Sequence, residues 1–331
     1  MKKAVFILPY YGKYPSYFDL WARSAGENQG FDFFLISDSF PEFDFVSKNI
    51  HFIKISWSDL KKRVQSLFNF KIKLIEPYDL CKFRPAYGEI FSDLVAGFSF
   101  WGYCDPDVIW GDLGKWITDE ILRKSDVVLT HGHCCLYRNC FNVNAFYRSE
   151  RAQKIFGYYS FRDVFSSAYT SHFDENDGVP GAARKAGLRV WDAYEAVADV
   201  DYMRRPLSES RKSCAYHWRS GKVFRVFLED FDSPEEEKIY VHLQKRPMDR
   251  GNFTVTSGEF WIFSDGFSNV FSEERMKEEL CLFRSSLGRE YWRPWRRIKE
   301  VFKNIRNGAL LWRLRKLRFR IIESNEGYKQ K

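Results

Sequence analysis

No Gly-x-Gly-x-x-Gly follows the first apolar run of this 331-residue chain, and no Walker loop occurs in it. A dinucleotide-binding unit of the usual kind and a P-loop NTPase are excluded, because both need glycines where backbone approaches phosphate. The seven cysteines are odd in number and contain no Cys-x-x-Cys pair. They give neither a zinc spacing nor a disulfide framework, which predicts a reducing cytoplasm rather than secretion. No run nears the roughly 18 apolar residues of a membrane span. The apolar core of the opening MKKAVFILPYYGKY is only about five residues, shorter than the h-region of a signal peptide. Repeats and low-complexity segments are absent as well.

What the chain does have is aromatic mass, 18% of residues with 32 Phe and 11 Trp, which marks a globular protein. Its length allows one large domain and an appendage. The net charge of +8 is uneven: residues 290–331 hold 13 Lys/Arg and 4 Asp/Glu, leaving 39 against 40 elsewhere. A nucleic-acid-binding core does not fit that distribution.

Residues 3–9 (KAVFILP) read as a buried strand, with YYGKYP as the loop at its carboxyl end. Residues 16–27 have helical spacing, and 31–39, ending near Asp38, and 49–56 read as further strands. Strand, helix, strand in this order opens a doubly wound sheet. Residues 57–70 read as a helix. Lys82 and Arg84 stand ahead of a helix predicted over 85–94, a position from which cations reach a diphosphate.

The organising stretch is 98–113, FSFWGYCDPDVIWGDL, an aromatic strand that stops at Asp105-Pro106-Asp107. Pro106 ends the strand by removing a backbone donor. Carboxylates at i and i+2 on a sheet edge suit a divalent cation shared with phosphate oxygens. The same tripeptide is also good turn chemistry. Asp112 reads as the cap of a helix over 113–122.

Residues 126–131 predict another strand, and the loop after it carries His131 and His133 beside Cys134 and Cys135. That group is too crowded for zinc and lacks a fourth ligand at the usual spacing. Helical spacing resumes over 141–156. Asp174, Glu175 and Asp177 precede Gly178 and a helix over 179–186. Acids there are either favoured by the helix dipole or placed for general-base work. A short strand is expected over 187–193, an antiparallel pair from 219–228 and 238–243, and a hairpin over 252–270.

In element order and in the strand-then-Asp-x-Asp motif, the chain resembles nucleotide-sugar glycosyltransferases of the GT-A fold. The resemblance covers roughly residues 3–250. It implies an α/β fold with a mixed, Rossmann-like sheet flanked by helices. It implies Mn²⁺ or Mg²⁺ on Asp107, with Asp105 touching the metal or the donor. Pro9, Tyr10, Tyr11 and Asp38 would lie against base and ribose, and Lys82 and Arg84 would face the donor. Asp174 and Glu175 would serve the acceptor. YVHLQKRP is similar to the late His, Lys and Pro of glycogenin-like members, without their flanking glycines. That similarity makes His242 a third metal ligand and Lys245 a diphosphate contact. The implied reaction moves a sugar from a nucleotide-sugar donor, UDP-linked, to a bacterial surface glycan such as lipopolysaccharide, capsule or a lipid-linked oligosaccharide. A sugar nucleotidyltransferase is the enzymatic rival, although YYGKYP is a poor Gly-rich loop. A non-catalytic membrane-associated binding protein is the other.

Expected boundaries are a catalytic domain over 1–250, a connecting hairpin over 251–289 and a basic tail over 290–331. Within 293–322, Ile298, Val301, Phe302, Ile305, Ala309 and Trp312 share one helical face, and Leu310, Leu314, Leu317 and Ile321 a neighbouring stripe. A basic amphipathic helix of this kind lies on an anionic membrane surface. Trp292, Trp295 and Trp312 would sit in its interfacial zone. The expected location is therefore cytoplasmic, peripheral to the inner face of the plasma membrane. The alternative is that the apolar face packs on the catalytic domain.

Overall fold

A computed structural model describes residues 2–286, apart from 42–46, 170, 201–205, 210–211, 231–232, 251–252 and 255–257, together with 305 and 308–318. The chain begins with strands β1 (Lys2–Pro9), β2 (Asp32–Ser37), β3 (Ile50–Lys54) and β4 (Phe98–Cys104), followed by β5 (Val108–Trp110). Then come β6 (Val127–His131), β7 (Cys134–Arg138) and β8 (Val190–Trp191). Seven of these form one sheet in the order β3-β2-β1-β4-β7-β6-β8. Helices Phe18–Gly26 and Trp57–Ser66 pack on its opposite sides.

The architecture is the mixed α/β sheet flanked by helices that the GT-A resemblance implies. β1, β2, β3 and β4 are mutually parallel, whereas β7 is antiparallel to both β4 and β6. Alternate residues of β1 enter two cores: Val5 and Ile7 on one side, Ala4, Phe6 and Leu8 on the other. Burial on both faces explains why this strand is a continuous apolar run rather than an alternating one. The chain runs outward from β1 to β3 and then returns to β1's other side as β4. Such a reversal opens a crevice at the carboxyl ends of the strands, the place where open α/β sheets bind ligands. Asp105 is the first residue beyond β4.

Two smaller sheets complete the described chain. β9 (Val197–Asp199), β10 (Ser208–Glu209), β11 (Lys212–Arg219), β12 (Lys222–Phe227), β13 (Glu236–Lys238) and β14 (Tyr240–His242) come next, then β15 (Glu259–Ile262) and β16 (Phe267–Ser268). β14 lies between β5 and β9, while β11, β12, β13, β15 and β16 form a separate antiparallel sheet with β10 on β11. The Trp218 indole donates to the Trp110 carbonyl at 2.9 Å and ties that sheet to β5.

Several expectations are corrected here. The antiparallel addition expected from 219–228 and 238–243 is split between two sheets: β12 pairs with β11 and β13, and β14 leaves to join β5. The loop expected after β6 is strand β7. The helix expected over 85–94 is preceded by a 3₁₀ helix, Pro77–Ala86, so Arg84 lies inside a helical segment and not ahead of one. The expected helix over 113–122 is two, Leu113–Trp116 capped by Asp112 and Asp119–Lys124 capped by Thr118. The hairpin strand β15 pairs with β11, across the boundary expected at 250.

Candidate active site

Asp105 and Asp107 leave the end of β4 on either side of Pro106, and β5 begins immediately after them. β5 pairs antiparallel with β14 so that His242 lies opposite Val108, next to Asp107. Strand pairing thus joins residues 135 positions apart in sequence (242 − 107). His242 Nε2 lies 3.7 Å from Asp105 Oδ2 and 3.6 Å from Asp107 Oδ1. Its Nδ1 lies 2.7 Å from Asp199 Oδ1.

Asp107 is 1% exposed. Its Oδ2 accepts from the Lys245 amide and its carbonyl accepts from Leu243 N–H at 2.9 Å. The turn that brings Lys245 back has Gln244 and Lys245 in left-handed backbone, φ 49° and 57°. Asp107 Oδ1 is buried without a hydrogen-bond partner. An orphaned carboxylate oxygen normally costs several kcal/mol, and here it faces a neighbouring carboxylate and an imidazole nitrogen. The donor set, two carboxylates and one nitrogen, therefore fits a divalent cation.

Arg84 extends the cluster. Its guanidinium donates to Asp105 Oδ1, to the Gly132 carbonyl and to Asp174 Oδ2, the last at 2.9 Å, and it lies 5.2 Å over the Tyr103 ring. Tyr103 Oη in turn donates to the Asp174 carbonyl at 2.7 Å. Burial pushes the Asp105 carboxyl up, opposed by Arg84 and reinforced by Asp107. Burial acts the same way on Asp107, but His242 and Lys245 outweigh it and hold that group below its usual value. Asp174 is pushed up to about 7 by burial, against the pull of Arg84. His242 would be lowered by burial, yet Asp107 and Asp199 raise it to about 10. Acidic groups outnumber cations in this buried space.

The remaining expected residues fall at different distances from this cluster. Tyr10 feels the charges of Asp107, Lys245 and Asp105, and its hydroxyl donates to the Lys13 carbonyl at 3.0 Å. Tyr11 faces the other way, donating to the Ile55 carbonyl at 3.0 Å, and feels Asp38. Asp38 is exposed beyond β2, and Pro9 ends β1. Lys245 Nζ sits 4.1 Å from the Tyr78 ring centre. Glu175 is half-exposed and pairs with His172 Nδ1 at 2.8 Å.

Lys82 is the clearest departure. It is fully buried, donating to Asp79 Oδ1 at 3.1 Å and to the Ser167 carbonyl at 2.8 Å. Its i, i+2 relation to Arg84 suggested a shared target, but the tight helical segment turns the two side chains to different neighbours.

Asp199 is not marked in the sequence, and His133 is marked there only within the crowded His-Cys group that lacks a fourth zinc ligand. The His133 ring stacks on His242 with centres 3.9 Å apart, and its neighbours Cys134 and Cys135 belong to no metal-capable group among the described residues. Only strand pairing reveals Asp199, because a lone Asp closing a three-residue strand carries no pattern.

The chain belongs to DUF6625, a family of unknown function whose model matches residues 6–270. No curated protein matches it. Among solved structures it is similar to the galactosyltransferase LgtC in complex with donor and acceptor sugar analogues. Identity there is 13% and the TM-score 0.33, over 60% of this chain and 75% of that one. An active-site mutant of LgtC gives 12% identity and a TM-score of 0.32 over the same shares.

Proposed function

We propose that this protein is a metal-dependent glycosyltransferase that moves a sugar from a nucleotide-sugar donor, UDP-linked, to a surface-glycan acceptor. The observation that carries the reading is the convergence of Asp105, Asp107 and His242 at the carboxyl end of the central sheet, with an orphaned oxygen between them. Mn²⁺ or Mg²⁺ held by these three residues would neutralise the diphosphate that leaves with the nucleotide.

The protein groups divide around that point. Pro9, Tyr10 and Asp38 would meet base and ribose on the nucleotide side, with Tyr11 anchoring their loop from behind through the Ile55 carbonyl. Lys245, which rests over the Tyr78 ring, would turn to the diphosphate. Arg84 holds Asp105 and Asp174 in one network, so the donor and acceptor sides share a cation. Asp174 and Glu175 are offered to acceptor hydroxyls, Glu175 from the more open position. We also assign the described leucines of the tail to an anionic membrane surface, where a lipid-linked acceptor would share a plane with the enzyme.

Calorimetry with UDP, with and without Mn²⁺, tests the reading, followed by a screen of UDP-sugars for hydrolysis. UDP binding that requires Mn²⁺ is expected. Preference for UTP would favour a nucleotidyltransferase, and absence of any nucleotide binding would remove the enzymatic reading.

A further inference from the structure

We infer that Asp199 is the positioning residue of the metal site. It holds His242 by Nδ1 and thereby presents Nε2 to the ion without touching the ion itself. The inference rests on the metal reading of Asp105, Asp107 and His242 given above.

The parallel pairing of β9 with β14 sets Asp199 directly across from His242. Asp199 Oδ1 accepts from Gln244 Nε2 at 2.7 Å as well as meeting His242 Nδ1 at 2.7 Å. Gln244 therefore fixes the carboxylate that fixes the ring. On binding a metal ion the ring gives up one proton, leaving one N–H and one lone pair, and the partner of the first decides where the second points.

That choice matters because two metal-capable groups share this ring. One is Asp105, Asp107 and His242; the other is His133, Asp199 and His242. A single lone pair cannot serve both. With Nδ1–H donated to Asp199, the lone pair is on Nε2, on the side of Asp105 and Asp107. Asp107 Oδ1 there has no other partner, whereas Asp199 Oδ1 already has two. The first group is thus the cage, and the Asp199 contact is its outer support. Carboxylates that orient a metal-bound histidine in this way typically change metal affinity by about 10–100-fold. The Asp199 side chain is 43% exposed, so its truncation opens no cavity in the core.

The test is Mn²⁺ affinity of the full chain, read by calorimetry and by the EPR signal of free ion. Wild type, Asp199→Asn, Asp199→Ala and Asp105→Asn are compared, together with the melting temperatures of the metal-free proteins. Asp105→Asn should lose the most affinity, Asp199→Ala about 10–100-fold, and Asp199→Asn less, with metal-free melting unchanged. Equal affinity in wild type and Asp199→Ala overturns the positioning role and leaves the metal site standing. Full affinity in Asp105→Asn with loss in Asp199→Ala puts the ion in the other group and overturns it too. A collapse of metal-free melting in Asp199→Ala would mark a structural role instead. A wild-type protein that binds no Mn²⁺ overturns the metal reading itself, and this inference with it.

Discussion

Asp107 carries a buried charge whose two oxygens are treated differently. Oδ2 accepts from the Lys245 amide, whereas Oδ1 makes no hydrogen bond and has the His242 ring 3.6 Å away. Asp107→Asn can keep the first contact, since an amide oxygen also accepts, while removing the charge. Its Mn²⁺ affinity should fall by at least about 100-fold, the upper range seen for outer-shell changes, with little change in melting temperature. Unchanged affinity would take Asp107 out of the site. Asp174 allows a second prediction, on pH. Its carboxyl is raised by burial to about 7 in the folded chain from 3.8, so folding takes up a proton between those values. Stability from this group is therefore greatest at the acid end of that window and falls as pH rises through it. The slope is up to about 1.4 kcal/mol per pH unit. Denaturant unfolding in EDTA at pH 5, 6 and 7 should show that decline in wild type and a flatter profile in Asp174→Asn. Parallel profiles would mean that Arg84 compensates Asp174 fully.

Elements differ in how strongly their neighbours constrain them. β4 and β7 approach so closely at Gly102 that an added Cβ would collide with the Cys135 carbonyl and meet Leu136 Cδ2 at 2.7 Å. Backbone cannot yield as a flexible side chain can. Gly102→Ala should cost about 1–3 kcal/mol, as overpacking does, whereas Gly97→Ala, with nothing within 4 Å, should stay within about 0.5 kcal/mol. Thermal melts of the two variants check this, and equal melting temperatures would contradict the packing described. The same contrast explains which elements were legible in the sequence. β1, β2 and β4 are buried on both faces and so appear as long apolar runs. β5, β9 and β14 are three residues each, too short for any period, and are defined by their partners. Asp105 and Asp107 could be named because a long strand delivers them, and His242 because YVHLQKRP has a family likeness. Asp199 could not, since the pairing that matters is between two of the short strands. β7 is not legible because its short Cys-Cys-Leu-Tyr-Arg run, set directly after a tight turn, carries no strand period.

The molecule as a whole is nearly neutral except for its final stretch, and within that stretch the described residues 308–318 present two faces. Gly308, at φ 83°, separates residue 305 from the helical run 309–318. Ala309 and Trp312 are buried; Trp312 packs on Tyr159 and Tyr169, with ring centres 5.2 and 6.1 Å away. Trp312 therefore belongs to the domain and not to an interfacial zone. Ile298, Val301, Phe302, Ile321, Trp292 and Trp295 lie outside the described residues. Arg315 and Lys316 reach Asp163 and Asp177 at 3.4 and 3.8 Å, which pins the segment further. Leu310, Leu314 and Leu317, spaced i, i+4 and i+7, are 48%, 55% and 55% exposed on another face. An apolar row held outward by a packed tryptophan, within a stretch of net charge +9 (13 against 4), is the feature on which the proposed docking to an apolar, anionic surface rests. Each Lys or Arg near anionic lipid adds roughly 1 kcal/mol, and the leucines add burial. The prediction is co-sedimentation with vesicles containing phosphatidylserine, weak on neutral vesicles and reduced by salt as surface charge is screened. Changing Leu310, Leu314 and Leu317 to Gln leaves Trp312 and the charge in place, so it tests the apolar row without stripping the domain. If that triple variant sediments as wild type does, the leucines are not the docking face. If neither protein sediments, the tail serves only to pack against the domain.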